Sequence, residues 1–570
     1  MQNFKNTVSE KILNAITGSF GATTITAAEI ASMLEYPPDT TMGDVALPCF
    51  KLSRTLRRSP VQIAQIIASG ISSAEIKKAE AVNGYLNISI SDEYLAEILN
   101  GRILAEGDSY GSSDLGKGKR VVLDYSSPNV AKPFHIGHLG TTVIGHSLKK
   151  LHEFVGYDCV SINYLGDWGT QFGKMIVAYK KWGDKEAITE GGIDKLVELY
   201  VKFHHAAEEN PALNDEARAE FHKLELGDEE NIELWKWFIE ISVAEYKKTY
   251  AQLGIEFDSY KGESFYTDKM PAQVQKLREM GLLKIDDGAS IVDLEEYNMP
   301  PCLILKRDGS TLYPTRDIAA AVYRKQTYDF DKAIYVTSAG QSLHFAQWFK
   351  VVELMQYDWH DKLVHVPYGT VSINGAKLAT RTGNVILLKD LFAQAIEKVS
   401  EIMDEKNPSL ENKEQVAEAV GVGAIVFYYL SSNRIRDINF VLEDALSFDG
   451  NTGPYVQYTY ARTCSLIEKA QGTELSKNTV FTAQEERDLV KTLSRFPEKV
   501  LEAIESYEPS VVTRYILDVA TAFNRFYHNC HILSADNADV LATRMALTRA
   551  TNYVLGNAFE LICLKKTKKI

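Results

Sequence analysis

Cysteine is scarce in this chain and never closely paired. Six cysteines are spread over 570 residues with no Cys-x-x-Cys among them. That excludes a disulfide framework and a zinc site, so no protein-bound structural metal is expected and the thiols read as those of a reduced, cytoplasmic protein. Long apolar runs are missing as well. The longest, residues 419–430, has twelve residues, short of the ~20 that cross a bilayer, so no membrane partner is expected. The opening stretch MQNFKNTVSEKILNAI lacks a signal-type apolar core. Positive charge is not in excess either: the net charge of −14 argues against a non-specific nucleic-acid coat. Local basic patches can still hold phosphates; Lys51, Arg54, Arg57 and Arg58 form one, and Lys565, Lys566, Lys568 and Lys569 another. There is no internal repeat and no low-complexity tract.

What is present is ordinary globular composition, 45% hydrophobic and 24% charged, on a chain too long for one core. Residues 1–116 mix helix and strand: residues 10–16 and 60–70 read as helical, and 85–90 alternate like a strand. Residues 106–119, with four glycines, have a linker's composition. From residue 120 short apolar strands alternate with helices, at 121–125, 160–163, 333–337 and 363–366. This is the rhythm of an α/β, Rossmann-like, doubly wound parallel sheet, whose ligands bind beyond the carboxyl ends of the strands. Charged helices over residues 174–255 and β-like pieces over 268–312 interrupt that rhythm as insertions. After about residue 400 the chain is almost wholly helical, and Val512, Tyr515, Ile516, Val519, Phe523 and Phe526 share one face. The expected architecture is therefore an α+β N-terminal domain (1–116), a Rossmann-like domain (117–400, insertions about 174–312), a helical junction (401–445) and an all-helical C-terminal domain (446–570).

Residues 126–145 read SSPNVAKPFHIGHLGTTVIG. His135 and His138 stand at a helix start after an apolar strand, where unpaired N–H groups and the helix dipole favour phosphate. Gly137 between them lets a flat ligand approach the backbone.

Further segments keep this one company: NYLGDWGTQFGK (163–174), FDSYKGESFY (257–266), TLYPTRDIAAA (311–321) and YVTSAGQSLHFAQ (335–347). HVPYGTVSINGAKLATRTGNVI (365–386) and GNTGPYVQYTYARTCS (450–465) follow. In this order the segments closely resemble arginyl-tRNA synthetases, a class I aminoacyl-tRNA synthetase family. The likeness extends to GDVALPCF (43–50), and SSPN-x-AKPFH and DGNTGPY are specific to the arginyl branch.

The resemblance implies an ATP-dependent ligase that forms arginyl-adenylate and moves arginine to the 2′-hydroxyl of the terminal adenosine of its tRNA. Its partners would be tRNA(Arg), L-arginine and ATP, with Mg²⁺ accompanying ATP, and family members are commonly monomers that need tRNA for activation. His135, His138 and Gly137 would meet the ATP. The lysine-bearing loop of class I enzymes reads Lys377-Leu378-Ala379-Thr380-Arg381 here, with Thr380 in place of its second lysine. Lys132 would supply the missing charge, with Arg381 as the alternative donor. Glu263 and Asp317 would hold the guanidinium beside Tyr313, since a planar fork of donors is matched by carboxylates. Asn129 and Gln341 would hold the amino-acid end, and His344 the ribose or adenine.

For tRNA, the resemblance points to Asn83, Tyr85 and Asn87 at the elbow. In the C-terminal domain Tyr455, Tyr458, Tyr460, Phe526 and Tyr527 are available for base stacking, Tyr458 and Tyr527 above all. The chain departs from the family pattern at Gly140-Thr141, at Asn83 in a proline position and in its ending KKTKKI. The first departure bears on a phosphate contact, the other two on tRNA contacts. The rival readings are a small-molecule adenylyltransferase and a catalytically impaired tRNA-binding paralogue.

Overall fold

In the computed structural model, residues 2–39, 42–377, 386–471, 478–535 and 537–570 are described. Strands β1 (Val45–Pro48), β2 (Ile76–Val82) and β3 (Tyr85–Ile90) form an antiparallel sheet in the order β1-β3-β2. The alternation over 85–90 sends Leu86, Ile88 and Ile90 into the core and leaves Tyr85 and Asn87 together on the other face. Asn83 and Gly84, at φ +50° and +85°, make the two-residue β2–β3 turn that favours Asn-Gly. A proline at position 83, with φ held near −65°, could not adopt it.

Residues 106–119, expected to be a linker, are packed down. Asn557 donates to the carbonyls of Gly107 (3.3 Å) and Tyr110 (3.1 Å), and Tyr110 is buried. Glycine is needed at 111, where φ is +94° and a Cβ would meet the Phe496 ring. The composition that suggests a tether serves a close docking instead.

The central sheet contains β4 (Arg120–Asp124), β5 (Asp158–Ile162), β9 (Lys332–Ser338) and β10 (Leu363–Tyr368), all parallel, in the order β10-β9-β4-β5. The chain runs from β4 to β5 and then crosses back to β9 on the far side of β4. Strand order therefore reverses between β4 and β9, the position at which open parallel sheets form a ligand crevice. Between β5 and β9 lie the helices Thr170–Trp182, Lys185–Glu209, Ala212–Glu225 and Glu229–Leu253. They are followed by an antiparallel sheet of β6 (Leu283–Asp286), β7 (Ala289–Val292) and β8 (Cys302–Leu305).

Beyond β10 a hairpin of β11 (Val371–Ile373) and β12 (Ala376–Lys377) is joined in parallel by β13 (Ile438–Phe440). This last strand lies in the stretch 401–445 that the sequence marks as a helical junction. The remaining chain is helical, and all six apolar residues read onto one face of Ser510–Asn529 are buried. The N-terminal and C-terminal regions are tied by ion pairs: Arg487 grips both oxygens of Asp92 (2.8 and 2.6 Å), Lys491 meets Asp44 at 2.6 Å and Lys5 meets Glu498 at 3.3 Å. No helix among the described residues is long and apolar enough to cross a membrane.

The helix Leu139–Phe154 runs from the histidine segment to the C-terminal region, where the Phe154 ring lies 5.9 Å from that of Phe496. Its Gly140-Thr141 start has a packing cause. A Cβ on Gly140 would overlap the Tyr429 hydroxyl. Thr141 Oγ1 donates to the Val336 carbonyl at 2.7 Å and accepts from the Ser126 N–H at 3.0 Å, so this buried hydroxyl is committed to the fold. Gly140→Ala should lower the thermal unfolding midpoint, overpacking here costing about 1–3 kcal/mol. Adding Tyr429→Phe should restore part of the loss; calorimetry of the two variants checks this.

Candidate active site

The loop after β4 is built against local preference. Ser126, Ser127 and Ala131 have φ of +71°, +48° and +58°, each costing on the order of 1–3 kcal/mol in a residue with a Cβ. Hydrogen bonds from three directions hold it. Ser126 Oγ lies 2.8 Å from Thr142 Oγ1 and 2.7 Å from the Tyr250 hydroxyl. Ser127 N–H donates to Asn163 Oδ1 (3.1 Å), and Ser127 Oγ donates to Asp124 Oδ1 (2.9 Å). Ala131 N–H donates to Ser242 Oγ (3.1 Å), and the Tyr246 hydroxyl donates to the carbonyls of Asn129 (2.7 Å) and Lys132 (2.8 Å). Ser242, Tyr246 and Tyr250 all belong to the inserted helix Glu229–Leu253, so an insertion braces the loop that presents Asn129 and Lys132. Asn129 is exposed and its backbone bridges to Gly166, whose hydrogen faces the amide; a Cβ there would overlap Asn129 Oδ1.

His135 caps the short turn Ile136–His138 that opens the helix Leu139–Phe154. Its Nδ1 accepts from the Gly137 N–H (3.0 Å), and His138 Nδ1 accepts from the His135 N–H (3.2 Å). The two rings are 4.0 Å apart, and His138 stacks on Phe134 at 5.1 Å. Burial, with the His135 ring and Lys132 beside it, pushes the His138 imidazole down to about 3. Burial and Lys132 lower His135 as well. Both rings are therefore neutral at pH 7. With each Nδ1 accepting, the remaining proton sits on Nε2. Two neutral N–H donors stand at a helix start, an arrangement suited to phosphate oxygens.

The acids expected to hold a guanidinium lie across the crevice, on the start of the helix Tyr313–Tyr328 and the turn Glu263–Lys269. Glu263 Oε2 accepts from Arg316 Nη1 at 2.8 Å, and Asp317 Oδ2 is 2.6 Å from His344 Nε2. Desolvation, with Asp317 and Asp167 nearby and Arg316 opposing them, pushes the Glu263 carboxyl up to about 7. Tyr313 is 65% exposed and so open to a ligand. Gln341 ends the 3-10 turn after β9 and is exposed, and His344 follows one helical turn on.

Several residues here carry no assignment from the sequence. Asp167 accepts from the N–H (2.8 Å) and Oγ (2.7 Å) of Ser264 and thereby sets the turn bearing Glu263. Arg324 is buried, 2.8 Å from Asp124, with the rings of Tyr164 and Tyr335 at 5.2 and 5.6 Å. This pair pins the helix Tyr313–Tyr328 to the end of β4. No local pattern marks such residues; only their partners, far along the chain, do.

The lysine loop starts from Lys377 at the end of β12, whose backbone alone is described, and Arg381 lies outside the described residues. The chain re-emerges beside the histidines: Ile136 N–H donates to the Ile386 carbonyl (3.2 Å), and His135 bridges to Leu387. Far from the crevice, Tyr85 is exposed and meets the Phe50 ring at 5.4 Å, with Asn83 exposed in the adjacent turn. Of the C-terminal aromatics, Tyr460 and Phe526 are core and Tyr455 accepts from Asn524 (2.9 Å). Tyr458 and Tyr527 are exposed, and the Arg462 guanidinium lies 5.0 and 4.5 Å from their rings.

Three family models match the chain. Residues 101–442 match tRNA synthetases class I (R), catalytic domain; residues 456–570 match the DALR anticodon binding domain; residues 2–90 match the arginyl tRNA synthetase N terminal domain. Arginine–tRNA ligase of Alkaliphilus metalliredigens is 49% identical over 573 residues, covering 100% of both chains. That of Clostridioides difficile is 48% identical over 99% of each. Among solved structures, arginyl-tRNA synthetase of Thermus thermophilus superposes with a TM-score of 0.82 at 23% identity, over 99% of this chain and 100% of that one.

Histidine ¹⁵N spectra test the imidazole geometry. At pH 7 both rings should show the Nε2–H tautomer, and His138 should stay neutral down to pH 5, since a lowered pKa means that charge appears only as pH falls through the folded value.

Proposed function

The chain belongs to the arginyl-tRNA synthetases of class I, and on that premise we propose which of its residues carry the reaction. Its activity is the ligation of arginine to tRNA at the expense of ATP. The observation that carries this is 49% identity to an arginine–tRNA ligase over the whole of both chains.

In the first step an oxygen of the arginine carboxylate attacks the α-phosphorus of ATP and pyrophosphate leaves. The carboxylate is already a nucleophile, so the site needs donors where charge gathers rather than a base. The Nε2–H groups of His135 and His138 fit that need, because a nitrogen that carries a proton donates and does not accept. Gly137 leaves room for the nucleotide at the backbone, and His344 serves the ribose or adenine. In the second step the 2′-hydroxyl of the terminal adenosine attacks the arginyl carbonyl and AMP leaves. Mg²⁺ accompanies the triphosphate.

Lys132 and Lys377 bring positive charge to the phosphates. Lys132 is favoured over Arg381 as the replacement for the lysine lost at Thr380. Its ammonium makes no hydrogen bond or ion pair with any described residue, and its charge acts on both imidazoles. Glu263, Asp317 and Tyr313 receive the guanidinium, and Asn129 and Gln341 the amino and carboxylate end. Asn83, Tyr85 and Asn87 meet the tRNA elbow, and Tyr458 and Tyr527 the anticodon. We divide the chain at 1–116, 117–400, 401–445 and 446–570, with insertions at about 174–312, and read it as a cytoplasmic monomer.

ATP–pyrophosphate exchange with arginine, with and without tRNA, tests the whole reading. Exchange should require arginine and be raised by tRNA; silence under both conditions would indicate a tRNA-binding paralogue. Lys132→Ala should depress exchange more than Arg381→Ala does, and an unaffected Lys132→Ala enzyme overturns that assignment. Glu263→Gln and Asp317→Asn should each lower kcat/KM for arginine by roughly 10²-fold, because each breaks a desolvated charge pair.

A further inference from the structure

Glu263 and Asp317 share a pattern: each carboxylate gives one oxygen to a basic group of the protein. Glu263 Oε2 is taken by Arg316 at 2.8 Å, and Asp317 Oδ2 by His344 at 2.6 Å. The other oxygens, Oε1 and Oδ1, make no hydrogen bond with any described residue. Arg316 adjoins Asp317 on the first turns of the helix Tyr313–Tyr328. Its side chain is 12% exposed and that of Glu263 18%, so water screens the pair weakly. Arg316 Nε is buried without a hydrogen-bond partner among the described residues, so the guanidinium is placed to serve Glu263 rather than to satisfy all of its own donors. Its centre lies 5.9 Å from the Tyr313 ring.

We propose that Arg316 is a positioning residue for substrate arginine: bonded to Oε2 of Glu263, it favours the ionised form of that carboxylate and orients it, leaving Oε1 for the incoming guanidinium. The proposal rests on the assignment of Glu263 and Asp317 to the guanidinium. An enzyme that binds a cation with two neighbouring carboxylates must stop them from sharing a proton while the site is empty. Here the groups acting on Glu263 are Arg316 and Asp317 from the helix Tyr313–Tyr328 and Asp167 from the loop after β5. The phenol of Tyr164 is buried against the same acids, and His344 is held by Asp317. Arg316 is the one cation acting on Glu263 among the described residues. With it, the like charges of Asp317 and Asp167 are opposed by one positive charge placed directly on an oxygen of Glu263. Without it, burial and two like charges favour the protonated acid, which cannot receive a guanidinium through both charge and hydrogen bond.

The test is the KM for arginine in ATP–pyrophosphate exchange with tRNA present, measured from pH 6 to 8.5 for wild type, Arg316→Gln, Arg316→Lys and Glu263→Gln. In wild type, arginine KM should rise as pH falls below about 7, where Glu263 takes up a proton. In Arg316→Gln that rise should begin at higher pH, a displacement of about one unit giving a KM about fivefold above wild type at about pH 7 and approaching about tenfold toward pH 6, with kcat at saturating arginine little changed. Arg316→Lys, which keeps the charge, should return the profile toward wild type. In the Glu263→Gln background, Arg316→Gln should add no further pH dependence. A profile for Arg316→Gln parallel to wild type, or a KM below it, overturns the proposal; the second result would mean that Arg316 competes for the substrate's seat. If Arg316→Gln does not fold, Arg316→Lys against wild type carries the same comparison, a KM raised equally at every pH being the overturning result. A wild-type KM for Glu263→Gln would instead overturn the guanidinium assignment.

Discussion

Everything on the β4 side of the crevice depends on a loop that would not hold its shape alone. Ser126, Ser127 and Ala131 occupy the left-handed region without being glycine, and together their strain is comparable to a sizeable part of a domain's net stability. What over-determines the loop is a set of hydroxyls delivered from elsewhere: Thr141 and Thr142 from the following helix, Ser242, Tyr246 and Tyr250 from an inserted one. Asn129, Lys132 and the two histidines inherit their positions from that bracing. The insertion is thus part of the active site's frame even where it supplies no group to the chemistry.

On the opposite wall the governing constraint is electrostatic. A guanidinium seat needs carboxylates that are partly buried, so that selectivity is high, and ionised, so that they bind. Those demands conflict, since burial raises a carboxyl's pKa. At Glu263, one of the two acids proposed for that seat, Arg316 on one oxygen opposes the effect of burial, and the wall is stiffened from behind by the Asp124–Arg324 pair and by Asp167 under the Glu263 turn. On the other wall burial makes the two histidines neutral, which fits their proposed role as N–H donors to phosphate.

Much of the architecture is legible in the sequence. The runs at 121–125 and 333–337 announce parallel strands because buried strands are apolar on both faces, and the one-sided face of Ser510–Asn529 announces a packed helix. The motif residues are legible because His135, Gly137 and His138 lie within four positions of one another and form one local turn. What is not legible is long-range pairing. Asp124 and Arg324 are two hundred positions apart, and nothing near either one signals the other. Strand Ile438–Phe440 is three residues long and lies between helices, too short for any period to register. Thr141 reads as a departure from a phosphate-binding pattern, whereas its hydroxyl joins β9 to the loop after β4. Composition misleads at residues 106–119, where glycines that suggest slack allow close contact.

The helix Leu139–Phe154 begins at one of the two imidazoles and ends against Phe496, in the region matched by the anticodon-binding model. Its sixteen residues span about 24 Å as a continuous hydrogen-bonded rod. A rod of this stiffness has no slack to take up. Geometrically, the far helices and the histidine turn are therefore two readings on one ruler. Phe154 and His138 thus share one axis, the first packed against Phe496 and the second against Phe134.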